Sequence, residues 1–356
     1  MSTVFDSKTC SVEGIPMPEH QFSRGTASSI AAQSGYSAPY LYLLEDELTP
    51  GGRQQKTYTQ RKVESVSRAI HAGYGQGRGD SYQPWLRIRR NFSSPVSYQV
   101  FDSVALHTRN HHFLSALEFH TALLISYLGA AELRECLPLW PFDHPHPDSG
   151  VSEEADIQLE PATGLVAIAK QAGIDHGFFV GTTAPYVASI DLVFRVRQGK
   201  TWRLIGISCK PKDIATQSKR AQERIELDRL YCMAVGAHHV HEDGSEINLE
   251  LVRQVAWMRP LVSDLRAHRQ TSRLADFAAR FEEYASERSV SDAAIAAGRR
   301  TGLNSTDAYS FFRLGVWLHL IDIDLTQRVQ MRSQIKRGSK QVLDTLKARY
   351  WGAHHG

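Results

Sequence analysis

Two apolar runs joined by a two-residue turn constrain this chain more than any other feature. Tyr186-Val187-Ala188-Ser189-Ile190-Asp191-Leu192-Val193-Phe194-Arg195-Val196 is β-branched and apolar on both faces, as expected of an interior strand that meets water on neither side. Trp202-Arg203-Leu204-Ile205-Gly206-Ile207-Ser208-Cys209-Lys210 returns after Gly199-Lys200, and glycine at the first central position suits a type II′ hairpin turn. With Gln198 opposite Thr201, Asp191 falls opposite Ser208 and Lys210 lies one diagonal away on the same face. An Asp and a Lys among apolar strand residues cost free energy unless they pair or bind a cation. Two readings follow, a structural ion pair at the sheet end and a divalent-metal site.

A third charged residue belongs with these two. In Phe113-Leu114-Ser115-Ala116-Leu117-Glu118-Phe119-His120, Leu114, Leu117, Leu124 and Leu128 form one helical stripe with Glu118 at its edge. Ser115-x-x-Glu118 is a capping box, in which the acid bonds back to the cap residue. The same acid is also a hard oxygen ligand. On the functional reading Glu118 and Asp191 bind Mg²⁺ or Mn²⁺, Ser208 and the Cys209 carbonyl add oxygen, and Lys210 works beside the ion. A helix Glu followed by Asp and Lys on paired strands is the PD-(D/E)xK nuclease arrangement.

The chain divides by pattern. Residues 1–65 mix Ser, Gly, Gln and Thr around Pro50-Gly51-Gly52, with Tyr40-Leu41-Tyr42-Leu43-Leu44 as an apolar cluster, and read as a partly flexible extension. Residues 66–250 alternate helical and β-rich stretches, the pattern of an α/β domain. In residues 251–356 helical periodicity dominates, as at Leu274, Phe277, Ala278, Phe281 and Tyr284. The net charge of +3 hides a division, because residues 251–356 carry 17 Lys+Arg against 10 Asp+Glu. A basic module of +7 beside a remainder of −4 suits nucleic acid better than the total suggests. No apolar run is long enough for a membrane span, and the start, Met1-Ser2-Thr3-Val4-Phe5-Asp6-Ser7, lacks a secretory pattern. Cys10, Cys136, Cys209 and Cys232 form no C-x-x-C. The expected setting is a reducing cytosol.

The flanking residues then carry a resemblance. Gly75-Gln76-Gly77-Arg78-Gly79-Asp80-Ser81-Tyr82-Gln83-Pro84-Trp85-Leu86, Arg109-Asn110-His111-His112 before the Glu118 segment, and Leu133-Arg134-Glu135-Cys136-Leu137-Pro138-Leu139 occur in order. Ile190-Asp191-Leu192, Ser208-Cys209-Lys210-Pro211 and Arg224-Ile225-Glu226-Leu227-Asp228-Arg229-Leu230-Tyr231 follow. In that order they resemble the TnsA family, the endonuclease subunit of heteromeric bacterial transposases. The resemblance runs from about Gly73 to Ile247, with a fainter continuation from Ala308 to Leu325. It implies a restriction-endonuclease-like central mixed sheet flanked by helices, plus a mainly helical, winged-helix C-terminal domain. It implies metal-dependent hydrolysis at the 5′ ends of a transposon in double-stranded DNA. A TnsB-type DDE transposase cuts and joins the 3′ ends, and a TnsC-type AAA+ regulator is a further partner. Glu118, Asp191 and Lys210 match the family's catalytic residues, and Glu226 lies where the family carries a further acid. Ser208 departs from the Gln or Glu frequent two residues before the lysine. That departure keeps a second reading open, a non-catalytic DNA-binding and assembly subunit with a worn nuclease fold. A third is a stand-alone restriction-type endonuclease.

Other features point toward DNA less directly. Arg78, Tyr82, Trp85, Arg87, Arg89 and Arg90 interleave cations with aromatics, the composition of a phosphate-and-stacking surface. Gly73, Gly75, Gly77 and Gly79 follow no strand and read as a flexible basic loop rather than a nucleotide fold. Lys212 follows the proposed catalytic lysine. Arg299, Arg300 and Arg313 lie in a helix-turn-helix pattern, with Ser291 and Ser305 as N-caps and Val316-Trp317-Leu318-His319-Leu320-Ile321 as the strand of a wing. Asp143-His144-Pro145-His146-Pro147-Asp148 reads as a loop, and Ala237-His238-His239-Val240-His241 as a strand or loop end rather than a ligand set.

Overall fold

The interior hairpin forms with the expected register and becomes the centre of a four-stranded sheet. The structure is a computed structural model and describes residues 57–89, 98–101 and 104–352. A short antiparallel pair, β1 (Tyr98–Phe101) and β2 (Asn110–Phe113), precedes the main sheet. That sheet has the order β3 (Glu132–Leu139), β4 (Ala188–Gln198), β5 (Thr201–Cys209), β6 (His238–Glu242). The first two pairings are antiparallel and β5–β6 is parallel. Gln198 pairs with Thr201 and the register continues to Leu192 opposite Ile207. Gly199 has φ 59°, and Lys200 is not among the residues with positive φ, which fits the type II′ turn.

Helices cover both faces of this sheet. On one side α2 (Ala116–Tyr127) packs Leu123 and Leu124 against Phe194, Ile205 and Ile207. On the other, α4 (Leu165–Ala172) and α6 (Lys219–Ala234) place Leu165, Ile168, Leu227 and Tyr231 against Ile190, Val193 and Leu204. Between them in sequence are the short helices α3 (Glu153–Asp156) and α5 (Lys212–Gln217). Gly206 sets the spacing of α6, because a Cβ there would stand 2.5 Å from Cys232 Sγ and 2.7 Å from Ile190 Cδ1. Each fully buried Leu, Ile or Phe contributes about 1.5–3 kcal/mol, so the sheet is held as firmly as any part of the chain.

The expected boundaries near residues 65 and 250 both fall within packed structure. Helix α1 (Tyr58–His71) buries Val63, Val66 and Ile70 against Trp85, Trp140 and Val187. Residues 1–56, including Tyr40–Leu44, and Arg90 lie outside the described residues. At the other end come α7 (Leu249–Met258), α8 (Val262–His268), α9 (Ser272–Tyr284), α10 (Val290–Arg300), α11 (Ser305–Trp317) and α12 (Ser339–Trp351). Their Leu251, Val255, Phe277, Phe281, Phe312 and Tyr350 share one apolar cluster with α2 and the sheet. The Gly73–Gly79 segment also differs from expectation. It lies against β3, where a Cβ at Gly75 would meet Pro138 at 2.4 Å.

The wing expected after α11 does not form, and among the described residues no strand follows β6. Val316 and Trp317 are buried and complete α11, because Phe312 and Val316 continue its i, i+4 face. The chain then turns at His319, φ 58°. A helix-turn-helix does remain, with α10 and α11 joined across Thr301–Asn304. Its caps are Ser289 and Asn304 rather than Ser291 and Ser305. Ser291 Oγ instead shares a 2.7 Å hydrogen bond with Tyr309.

Candidate active site

Three elements bring Glu118, Asp191 and Lys210 to one end of the sheet. Ser115 starts α2, accepting the Glu118 N–H at 3.2 Å, and its hydroxyl donates to Glu118 Oε1 at 3.0 Å. Glu118 Oε2 accepts the Leu114 N–H at 2.8 Å, one residue further back than an ordinary capping box. The capping reading and the functional reading therefore describe the same side chain. Asp191 faces the end of β5, where its Oδ2 accepts the Cys209 N–H at 2.8 Å and Lys210 Nζ at 2.9 Å. Lys210 Nζ also donates to the Cys209 carbonyl at 3.1 Å. The Lys210 N–H donates to the carbonyl of Glu242 at 3.0 Å. Glu242 is itself buried, its carboxylate held by Arg349 and Tyr350 of α12, both at 2.7 Å. The C-terminal helix thus fixes the strand beside the lysine.

Electrostatics mark this cluster as short of positive charge. Burial pushes the Glu118 carboxyl up to about 8, and the Asp191 charge adds to the rise. Burial works against the Lys210 ammonium, but Asp191 and then Glu118 outweigh it and hold the pKa above the ordinary lysine value. Asp228 of α6 adds a further acid. Its Oδ2 accepts from Ser208 Oγ at 2.8 Å, and Arg224 pairs with its Oδ1. Burial raises the Asp228 carboxyl to about 6, Arg224 opposes that, and Asp191 adds to it.

The sequence reading missed Asp228 and favoured Glu226, two residues away. Glu226 is half-buried, with 42% of its side chain exposed, and takes two hydrogen bonds from Arg229, at 2.8 and 2.7 Å. The signal lay in the helix period, since Asp228 shares the buried face of α6 with Leu227, Tyr231 and Cys232. Ser208, the departure from the nuclease pattern, is committed to Asp228 and to His239 Nε2 at 2.9 Å. Burial lowers the His239 pKa to about 4, so that ring is neutral. His239 and His241 sit on β6, as the strand reading of that segment had it.

Glu118, Asp191 and the Cys209 carbonyl are the groups that could hold a hard divalent cation. Two carboxylates on separate elements and the Cys209 carbonyl converge, and Lys210 Nζ already bridges Asp191 and that carbonyl as a cation would. Among the described residues no group of three or more His, Cys, Asp and Glu side chains is arranged to hold a metal. A site of two carboxylates therefore leaves the remaining positions to water and substrate oxygens, which is how Mg²⁺ is commonly bound.

The expected DNA contacts divide sharply. Arg78 is drawn inward to Glu132 and Asp148. Arg87 bonds Gln83 at 2.7 Å and lies over the Tyr74 ring, and Arg313 donates to the Arg259 carbonyl. Nearby acceptors claimed these guanidinia, so they are not free surface cations. Arg89 is half-buried, whereas Lys212, Arg299 and Arg300 are exposed. His144 is buried in a loop, its ring between the Phe142 carbonyl and the Tyr231 hydroxyl.

Among the described residues no helix is long and apolar enough to cross a membrane. No protein-family model matches the chain. The chain is 28% identical over 194 residues to the Transposon Tn7 transposition protein TnsA of Escherichia coli. That match covers 54% of this chain and 61% of the relative, so the chain spans about three-fifths of the protein it matches. The chain is therefore similar to that protein over about half of its own length.

Proposed function

We propose that this protein is the metal-dependent DNA endonuclease subunit of a heteromeric transposase, hydrolysing phosphodiester bonds at the 5′ ends of its transposon. The observation that carries the reading is the convergence of Glu118, Asp191 and Lys210, with Lys210 Nζ 2.9 Å from Asp191. Glu118 and Asp191 hold Mg²⁺ or Mn²⁺ together with the Cys209 carbonyl. Bound there, the ion supplies Lewis-acid polarisation of the phosphodiester and acidifies water. Asp191, fixed by the Cys209 N–H, orients Lys210. Lys210 offsets charge that develops on the pentacovalent transition state. Exposed Lys212, Arg299 and Arg300 contribute to phosphate binding.

In this reading a TnsB-type DDE transposase cuts and joins the 3′ ends, and a TnsC-type AAA+ protein regulates both. The test is Asp191→Ala in a reaction with the partner transposase and a plasmid carrying both transposon ends. The expected result is loss of 5′ nicking with 3′ joining retained, giving cointegrates. Clean excision by that variant would overturn the assignment.

Ser208 favours a second reading, a DNA-binding assembly subunit without catalysis, because it fills a position where a ligand is common and is already hydrogen-bonded on both sides. Calorimetric titration with Mg²⁺ separates the two. Heat that disappears in Asp191→Asn supports the nuclease, and identical traces for both proteins support the assembly subunit.

A further inference from the structure

The segment that leads into β4 presents apolar side chains to water where its own packing calls for none. Residues 177–186 form a small hairpin, with the Phe179 N–H donating to the Ala184 carbonyl at 3.0 Å and the Tyr186 N–H to the Gly177 carbonyl at 3.3 Å. Side chains alternate along it. Phe179 turns inward, with Lys62 Nζ 4.2 Å from its ring centroid and the Tyr186 ring edge-on at 5.2 Å. Phe178 and Val180 turn outward and are 59% and 92% exposed. Tyr58 of α1, also exposed, extends the patch, because a Cβ at Gly181 would meet its ring at 3.4 Å.

The hairpin is braced and tied to the proposed active site. The Thr183 N–H donates to Thr59 Oγ1 at 3.3 Å, and Ala184 and Val187 are buried with Val63 and Val66 of α1. Arg220 of α6 donates to the carbonyls of Asp175 and His176 at 2.6 and 2.9 Å, and Arg224, one turn on, to that of Ser189 at 3.3 Å. Asp191 follows two residues later. From the hairpin tip to Asp191 the chain spans at most about 30 Å, less than one turn of B-DNA at about 34 Å. Lys219 and Arg220, two cations at the hairpin base, share one acid, Glu223, at 3.5 and 3.3 Å. Cations hold phosphates, and apolar side chains on a braced support enter between base steps. The exposed apolar side chains here are too few for a stable protein interface, which takes about 20–30 residues a side.

We propose that the hairpin of residues 177–186 is a DNA wedge, whose Phe178 and Val180 press between bases beside the phosphodiester held at Asp191. The proposal rests on the nuclease reading for the presence of DNA there, and on neither the metal nor hydrolysis.

The test uses the full chain, the partner transposase and a transposon-end duplex carrying 2-aminopurine at single positions around the 5′ cut, in EDTA so that nothing is cleaved. The base brightens when it is unstacked. Wild type is expected to raise fluorescence at one or two adjacent positions. The double variant Phe178→Ser, Val180→Ser should melt as wild type does, lose that rise and bind the duplex about tenfold more weakly, as losing one base–side-chain stack does. Its affinity should keep the wild-type salt dependence, because no phosphate contact is removed. Fluorescence that is flat for wild type, or equal in the double variant, overturns the wedge; nicking of the same duplex by wild type in Mg²⁺ would then leave the nuclease reading standing. A double variant that no longer binds the partner transposase in the absence of DNA makes the patch a protein-docking surface and also overturns it.

Discussion

Glu118 and Glu135 are both buried, at 3% and 0% exposure, and their carboxyls are pushed in opposite directions. At Glu118 burial and the nearby Asp191 act together and raise it to about 8. At Glu135 burial also favours the neutral acid, but hydrogen bonds from Arg109 and the adjacent His111 ring, 3.4 Å away, overcome it and pull the carboxyl well below the usual range. Arg109 donates to both Glu135 oxygens at 2.6 Å. One acid is charge-satisfied by its own chain and the other is not. Structural ion pairs complete themselves, whereas a site built for a charged ligand leaves a deficit for the ligand to fill.

The largest expected effect falls on the unsatisfied side. Lys210→Met removes the cation nearest Asp191 and should lower the 5′-nicking rate by about 10²–10³-fold, the usual consequence of losing one group that stabilises transition-state charge. Single-turnover nicking of an end-bearing plasmid measures it. A rate within twofold of wild type would place Lys210 with Glu135, among residues that only hold the fold.

Glu135→Gln should do the reverse. It leaves Arg109 buried without its counter-charge, and breaking such a pair costs about 3–5 kcal/mol. Urea melting measures the loss, and nicking per folded molecule should stay unchanged. The pH dependence has a definite sign. A folded-state pKa below the unfolded value means that Glu135 contributes stability above the unfolded carboxylate range, and that this is lost as pH falls through the folded value. The stability difference between wild type and Glu135→Gln should therefore be largest near neutrality and narrow toward strong acid. A difference independent of pH would break the comparison.

These two acids also show what a sequence carries and what it does not. The neighbourhood of Asp191 and Lys210 was legible because a two-residue turn fixes register, and register fixes which side chains meet. Ser115-x-x-Glu118 was legible because capping is local. Glu135 carried no such signal, since its partners Arg109 and His111 come from a separate segment. At Arg78, Arg87 and Arg313 the charge is visible in a sequence, but the acceptors that bond them in the fold are not. The wing failed because Val316-Trp317 fits a strand by residue preference, while the i, i+4 continuation from Phe312 carried the helix on. Asp228 was missed because the acid at 226 and the one at 228 differ only in helical phase.

Divalent cation sharpens the comparison at a smaller scale. Wild type in EDTA should gain stability when Mg²⁺ is added, by about 2.7 kcal/mol at a hundred times the dissociation constant. Glu118→Gln should lose most of that gain and Glu135→Gln should keep it. Thermal melts at matched ionic strength read the difference, and an equal response in all three proteins would remove the metal from Glu118.

The smallest effect separates the two roles of Glu118 itself. Ser115→Ala removes the cap hydroxyl, which accepts the Glu118 N–H and donates to its Oε1, and should cost about 1 kcal/mol. The carboxylate then keeps the Leu114 N–H as its backbone partner and gains freedom to move. The half-saturating Mg²⁺ concentration should rise along with the stability loss. If Glu118 serves the helix end alone, the melting temperature falls and the Mg²⁺ response stays where it was.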